Sequence, residues 1–159
     1  MGYEYSRSRW YKVQTALFKE DATSTVHTAT FRVPAGSLLL DIIVVPEVLW
    51  TATGTVVFKC GDTAASDGYF SSVDLKATDL VLGERLQAAS DNFWGATQDA
   101  YLTTAGRIGQ AATSNIGGYM PAAYSITGTI TVTTPATTVG RLRMTVISVR
   151  GTKVTPVLT

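Results

Sequence analysis

The sequence predicts an all-β protein: a two-sheet antiparallel sandwich of the jelly-roll kind, with about eight strands and little helix. Three observations carry that expectation. Residues 26–33 and 124–146 alternate apolar and polar side chains with a period of two, the mark of half-buried strands. No segment repeats apolar residues at i, i+3, i+4 and i+7 over three turns, so no amphipathic helix is expected. The candidate strands are short and are punctuated by glycine, proline, aspartate and serine.

Taken in order, residues 1–9 mix tyrosine, arginine, serine and glutamate without period and read as an N-terminal arm. Residues 10–159 read as one β-sandwich domain, with no internal repeat and no linker. Residues 10–18 are a first strand with imperfect alternation, and residues 20–25 a turn. In the next strand His27, Ala29, Phe31 and Val33 share one face, and Thr28, Thr30 and Arg32 the other. Pro34, Ala35 and Gly36 end it. Residues 38–45 (LLLDIIVV) are apolar on both faces except at Asp41, which implies a central strand or a second packed surface, and Pro46 should stop the run.

Residues 53–60 and 69–73 follow as strands, and residues 79–86 as a strand or a single helical turn, with Gly83 opposing a long helix. Residues 87–123, rich in alanine, glycine, threonine and serine, fit two short strands near 100–103 and 107–111. At the C-terminal end, Tyr124, Ile126, Gly128, Ile130 and Val132 share a face. A loop at 135–139 leads to a return strand with Leu142, Met144 and Val146 inward and Arg141, Arg143 and Thr145 outward. The two are expected to pair as a β-hairpin.

Bulk properties bound the function. The 159 residues suit one core, burying roughly 70% of the unfolded chain's surface. Only 16% are charged, below the roughly 25% usual for soluble domains, while 45% are hydrophobic and the mean hydropathy is +0.16. So little charge suits a subunit whose surface is covered in an assembly. A net charge of +1 gives no field to draw nucleic acid or a membrane, and neither is expected as a partner. The one cysteine, Cys60, excludes an intrachain disulfide framework. The first ten residues lack the apolar stretch of a signal peptide, which implies synthesis and folding in a cytoplasm.

Catalytic chemistry has few residues to stand on. His27 is the only histidine, and it sits inside a strand pattern with no nucleophile elbow elsewhere. Cys60 ends a strand and reads as a small hydrophobe. One histidine and one cysteine cannot fill a tetrahedral zinc site. Asp62 and Asp67 flank a loop where calcium ligands converge only if the turn is unusual, and no EF-hand, Walker or dinucleotide spacing occurs. No enzyme, metal or cofactor is expected. Trp50, Phe93, Trp94 and Tyr101 would line a sugar-binding face if they are exposed together.

The expected binding residues are of two kinds. Tyr3, Tyr5, Arg7, Arg9 and Trp10 make an aromatic and basic arm that would lie along a neighbouring subunit, since these residue types dominate contact energies. Leu39, Ile43 and Val45, from the two-faced apolar run, would supply contact surface.

The run FRVPAGSLLLDIIVVPEVLW, followed by GTVVFKCGD and SDGYF, resembles a block of tailed-phage virion structural proteins. The segment GTITVTTPATTVGRLRMTVISV is similar to the closing hairpin of that family. The likeness covers residues 26–73 and 124–149 and extends to small jelly-roll capsid decoration, or cement, proteins. It implies a homotrimer on the phage head surface that binds the major capsid protein or other virion proteins and stabilises the assembled head. It implies no catalytic residue. A tail, adaptor or fibre-associated virion protein and a carbohydrate-binding sandwich are the alternatives.

Overall fold

The computed structural model describes residues 10–76, 79–88, 119–120, 122–135 and 139–150, and all nine strands of the described residues lie in two antiparallel sheets. They are β1 (Trp10–Lys19), β2 (Val26–Val33), β3 (Ser37–Val48), β4 (Val56–Gly61), β5 (Phe70–Asp74), β6 (Leu86–Gln87), β7 (Tyr119–Met120), β8 (Tyr124–Val132) and β9 (Arg141–Arg150). The first sheet has the order β1-β9-β3-β6, with β7 also pairing β3, and the second the order β2-β8-β4-β5. Strand β1 thus pairs β9, β2 pairs β8, β3 pairs β6, and β4 pairs β5. This is one long antiparallel hairpin wrapped around a core, the jelly-roll arrangement.

The core forms where the inward sides of both sheets meet. From the first sheet come Phe18, Leu39, Ile42, Val44, Leu142, Met144 and Val146; from the second, Phe31, Val33, Val56, Phe58, Phe70, Ile126 and Ile130. Each such burial contributes about 1.5–3 kcal/mol. Phe18 of one sheet meets Phe58 of the other edge to face, with ring centres 6.3 Å apart. Gly128 makes that contact possible. A Cβ there would fall 2.5 Å from Met144 Sδ, 3.2 Å from Phe18 Cζ and 3.3 Å from Phe58 Cε2.

Three sequence expectations change. The final two strands do not form a hairpin: β8 lies between β2 and β4 in the second sheet, whereas β9 lies between β1 and β3 in the first. Their apolar sides face each other across the core. Alternation alone specifies that a strand has an inner side, not which sheet it joins. Pro46 does not stop β3, which runs to Val48. The register slips between Pro46 and Val48, and a bulge is where a strand tolerates proline. Residues 79–86 are a bend and turn leading into β6. The strands expected near 100–103 and 107–111 lie outside the described residues, as does the arm 1–9.

Candidate docking surface

The outer side of the first sheet brings together the residues best placed to bind a partner. Cross-strand register sets them in rows: Tyr11 with Val149 and Leu38, Val13 with Ile147 and Asp41, Thr15 with Thr145 and Ile43, and Leu17 with Arg143 and Val45. Tyr11 is 67% exposed, Val13 62% and Leu17 41%. Half-buried Ile43, Val45 and Ile147 continue the apolar surface across the sheet. Arg143, paired with Glu47, and buried Asp41, in register with Ile147, break it.

The second sheet differs. Its outer side is a lattice of threonines, with Thr28 opposite Thr129 and Thr30 opposite Thr127, and the hydroxyls of the latter pair are 3.3 Å apart. A threonine face meets water without penalty, whereas a contiguous apolar face marks contact with another molecule.

A bulge in β3 separates the residues expected to act together. Leu39 opposes Ser148 and Asp41 opposes Ile147, so Leu40 is an extra residue and the inward parity changes from odd to even numbers. Leu39 therefore lies in the core with no exposed surface, and it has none to offer a partner. Ile43 and Val45 lie on the outer face. Trp10 opens β1 opposite Arg150. Tyr3, Tyr5, Arg7 and Arg9 lie outside the described residues. Sequence reading missed Tyr11, Val13 and Leu17. Their odd-numbered apolar alternation was the available signal, obscured by Ala16 and Phe18 on the inner side.

Candidate chemical residues take structural places. His27 is nearly buried, with Nδ1 4.0 Å from an Asp21 carboxylate oxygen and its ring 5.2 Å from that of Trp50. Its Nε2 has no hydrogen-bond partner among the described residues, so no nucleophile completes a triad there. Asp21 is held well below the usual carboxylate range by hydrogen bonds from the backbone N–H groups of Ser24 and Thr23. Cys60 is fully buried. Desolvation first, then the charge of Asp62, pushes its thiol far above the ordinary value, the reverse of what a thiolate nucleophile needs.

Asp62 caps its own turn, accepting the N–H of Ala64 at 2.8 Å and of Ala65 at 3.0 Å. Among the described residues no group of three or more His, Cys, Asp or Glu side chains could hold a metal ion. No described helix is long and apolar enough to cross a membrane. Trp50 is only 3% exposed and belongs to the core, so it offers no sugar platform; Phe93, Trp94 and Tyr101 lie outside the described residues.

A shallow groove of about 500 Å³ at one end of the first sheet is lined by Lys19, Glu20, Val48, Val139, Gly140 and Arg141. The Glu20 carboxylate is turned away into the protein. It accepts the N–H of Gly140 at 2.9 Å, the N–H of Thr51 at 3.0 Å and the Thr51 hydroxyl at 3.1 Å. Its role there is to tie the end of β1 to the chain around Trp50 and Gly140.

No protein-family profile matches the chain, and no curated protein sequence does. Among solved structures it is similar to a chain of the cyanophage Pam1 capsid asymmetric unit, with 16% identity over 95% of this chain and 92% of that chain and a TM-score of 0.54. It is also similar to a chain of the acid-stable capsid of the Helicobacter pylori bacteriophage KHP30, with 13% identity, coverage of 87% and 86%, and a TM-score of 0.49. The first likeness extends over nearly the whole of both chains and is a likeness of fold.

Proposed function

We propose that this protein is a non-enzymatic structural subunit of a phage particle, a decoration or cement protein that binds the assembled head. The apolar outer face of the first sheet carries this reading. Exposed Tyr11, Val13 and Leu17, with half-buried Ile43, Val45 and Ile147 on the same side of the sheet, give an apolar surface interrupted by Arg143 and Asp41 on a protein with few charges. A soluble chain keeps such a face where a partner covers it. The fold likeness to a chain of a phage capsid asymmetric unit, over almost its full length, supports the same reading. So does the character of the chemical residues: a buried thiol raised in pKa and a histidine whose Nε2 meets no nucleophile among the described residues suit a structural part.

Stabilisation follows from mass action. A subunit that binds the closed shell and not its dissociated parts shifts the shell away from disassembly in proportion to occupancy. The test is to add the purified protein to heads of its own phage stripped of it. The expected outcome is retention at a fixed stoichiometry near the capsomer count and a higher temperature for genome release. Val45→Asp, which places a charge on the outer face, should lose retention while keeping the β-rich circular dichroism spectrum. Heads that retain none of the wild-type protein refute the reading. A copy number of a few to dozens per virion would assign the protein to the tail instead.

A further inference from the structure

Among the described residues, strand β1 is hydrogen-bonded on one side only, to β9, and forms one edge of the first sheet. Its ten-residue ladder has no register shift. An open edge of that length is a template for another strand unless something blunts it. The edges at β5, β6 and β7 are blunted. β6 and β7 are two residues long, and β5 is broken by a register shift beside Ser72, whose φ is +53°. β2 is a second uninterrupted edge, eight residues long; beside exposed Val26 it presents threonines and Arg32 on its outer side, and the Arg32 carbonyl already accepts Lys12 Nζ and Gln14 Nε2. β1 has neither proline nor bulge, and it carries three of the six large exposed apolar side chains of the described residues, Tyr11, Val13 and Leu17. Lys12, the charge on its inner side, is engaged by the Arg32 carbonyl.

We propose that β1 pairs antiparallel with β1 of a second copy of this chain about a two-fold axis at Thr15, joining the two first sheets into one. The sequence of the strand is self-complementary in this register. On the outer face Val13 opposes Leu17 of the second copy, so the two exposed aliphatic positions of β1 cover each other twice. Tyr11 opposes Lys19 of the second copy, an ammonium beside an aromatic ring. Thr15 opposes itself, in the manner of the Thr15 and Thr145 hydroxyls, 3.1 Å apart within one copy. Cross-strand pairs of these kinds are the unit of sheet stabilisation. The pairing also moves Lys19 toward Tyr11 of the second copy and away from Arg141, the like charge directly opposite it in β9. The self-complementarity is isologous, and it closes at two copies. Nothing in it depends on the virion reading.

The test is sedimentation equilibrium of the free, full-length protein across micromolar concentrations, where a monomer–dimer equilibrium is expected. Val13→Glu and Leu17→Lys, both at exposed positions, are each expected to weaken dimerisation by about tenfold or more. An equimolar mixture of the two variants should regain a heterodimer, because the introduced carboxylate and ammonium then face each other across the pair. Within one copy these positions are four residues apart on a strand, too far to pair. Circular dichroism verifies that both variants keep the β fold. A monomer at every concentration, a trimer, a dimer indifferent to both substitutions, or a mixture without rescue would each overturn the proposal.

Discussion

Glu20 shows how one side chain holds a corner of this fold. Burial opposes its charge, but hydrogen bonds from the backbone N–H groups of Thr51, Gly140 and Ala52 and from the Thr51 hydroxyl outweigh it and hold the carboxyl below its ordinary value. The backbone repeats the tie, with Glu20 N–H donating to the Gly140 carbonyl at 2.8 Å. Gly140 must be glycine, since a Cβ would lie 2.7 Å from Trp50 Cγ and 2.9 Å from Glu20 Oε2. A carboxyl whose folded pKa is depressed stabilises above its unfolded value of about 4.3. That stability is lost as pH falls through the lower folded value. Glu20→Gln should therefore cost about 1–3 kcal/mol at neutral pH by urea titration. The gap to wild type should narrow as pH drops from about 5 to 3. A gap independent of pH would show that the charge is idle. In the sequence Glu20 is simply the first residue of a turn; its partners lie 31 and 120 residues away, a separation that no local pattern reports. His27, by contrast, has its inward position written in the alternation of β2, although its neighbours Asp21 and Trp50 are not.

At the scale of the element, β3 shows both the power and the limit of reading alternation. A run apolar on both sides predicts a strand with two covered faces, and β3 does lie inside its sheet. The bulge at Leu40 and Asp41 is what turns one apolar set inward in the first half of the strand and another in the second. A one-residue slip reverses every side chain beyond it, and no feature of LLLDIIVV marks where the slip falls. Asp41 marks it in the folded protein: it is buried and accepts the Ile42 N–H at 2.8 Å and Gln87 Nε2 at 2.5 Å. The two halves should respond differently to truncation. Leu39→Ala is expected to cost about 2–5 kcal/mol of folding stability. Ile43→Thr, on the outer face, should cost about 1 kcal/mol or less while weakening attachment to heads. Equal losses in a denaturant titration would contradict the parity change. The missed partner assignment of β8 and β9 has the same origin. Two adjacent alternating strands look alike whether they pair side by side or face each other across a core.

For the molecule as a whole, the number, spacing and alternation of the strands made the sandwich class legible, because two layers are the natural way to bury one side of each. The order of strands was not legible, since it is decided by pairings between residues more than a hundred positions apart, such as Lys19 with Arg141. The proposed docking face was half legible as an outward-facing apolar set, through Ile43 and Val45 but not through Tyr11, Val13 and Leu17. One property belongs to the closed sandwich alone. Cys60 is sealed between the layers, so a thiol reagent such as Ellman's should modify the native protein no faster than it unfolds, and modify it at once in denaturant. Rapid labelling under native conditions would mean that the layers part readily. The pairing of β1 with β9 also has a consequence for biosynthesis. A ribosome releases Trp10–Lys19 well before Arg141–Arg150, so the earlier strand must wait, solvated and without its neighbour, until the later one has been made. The nascent polypeptide therefore completes its first sheet only after β9 has emerged, and until then it depends on dilution or chaperones to keep that waiting edge from a stranger.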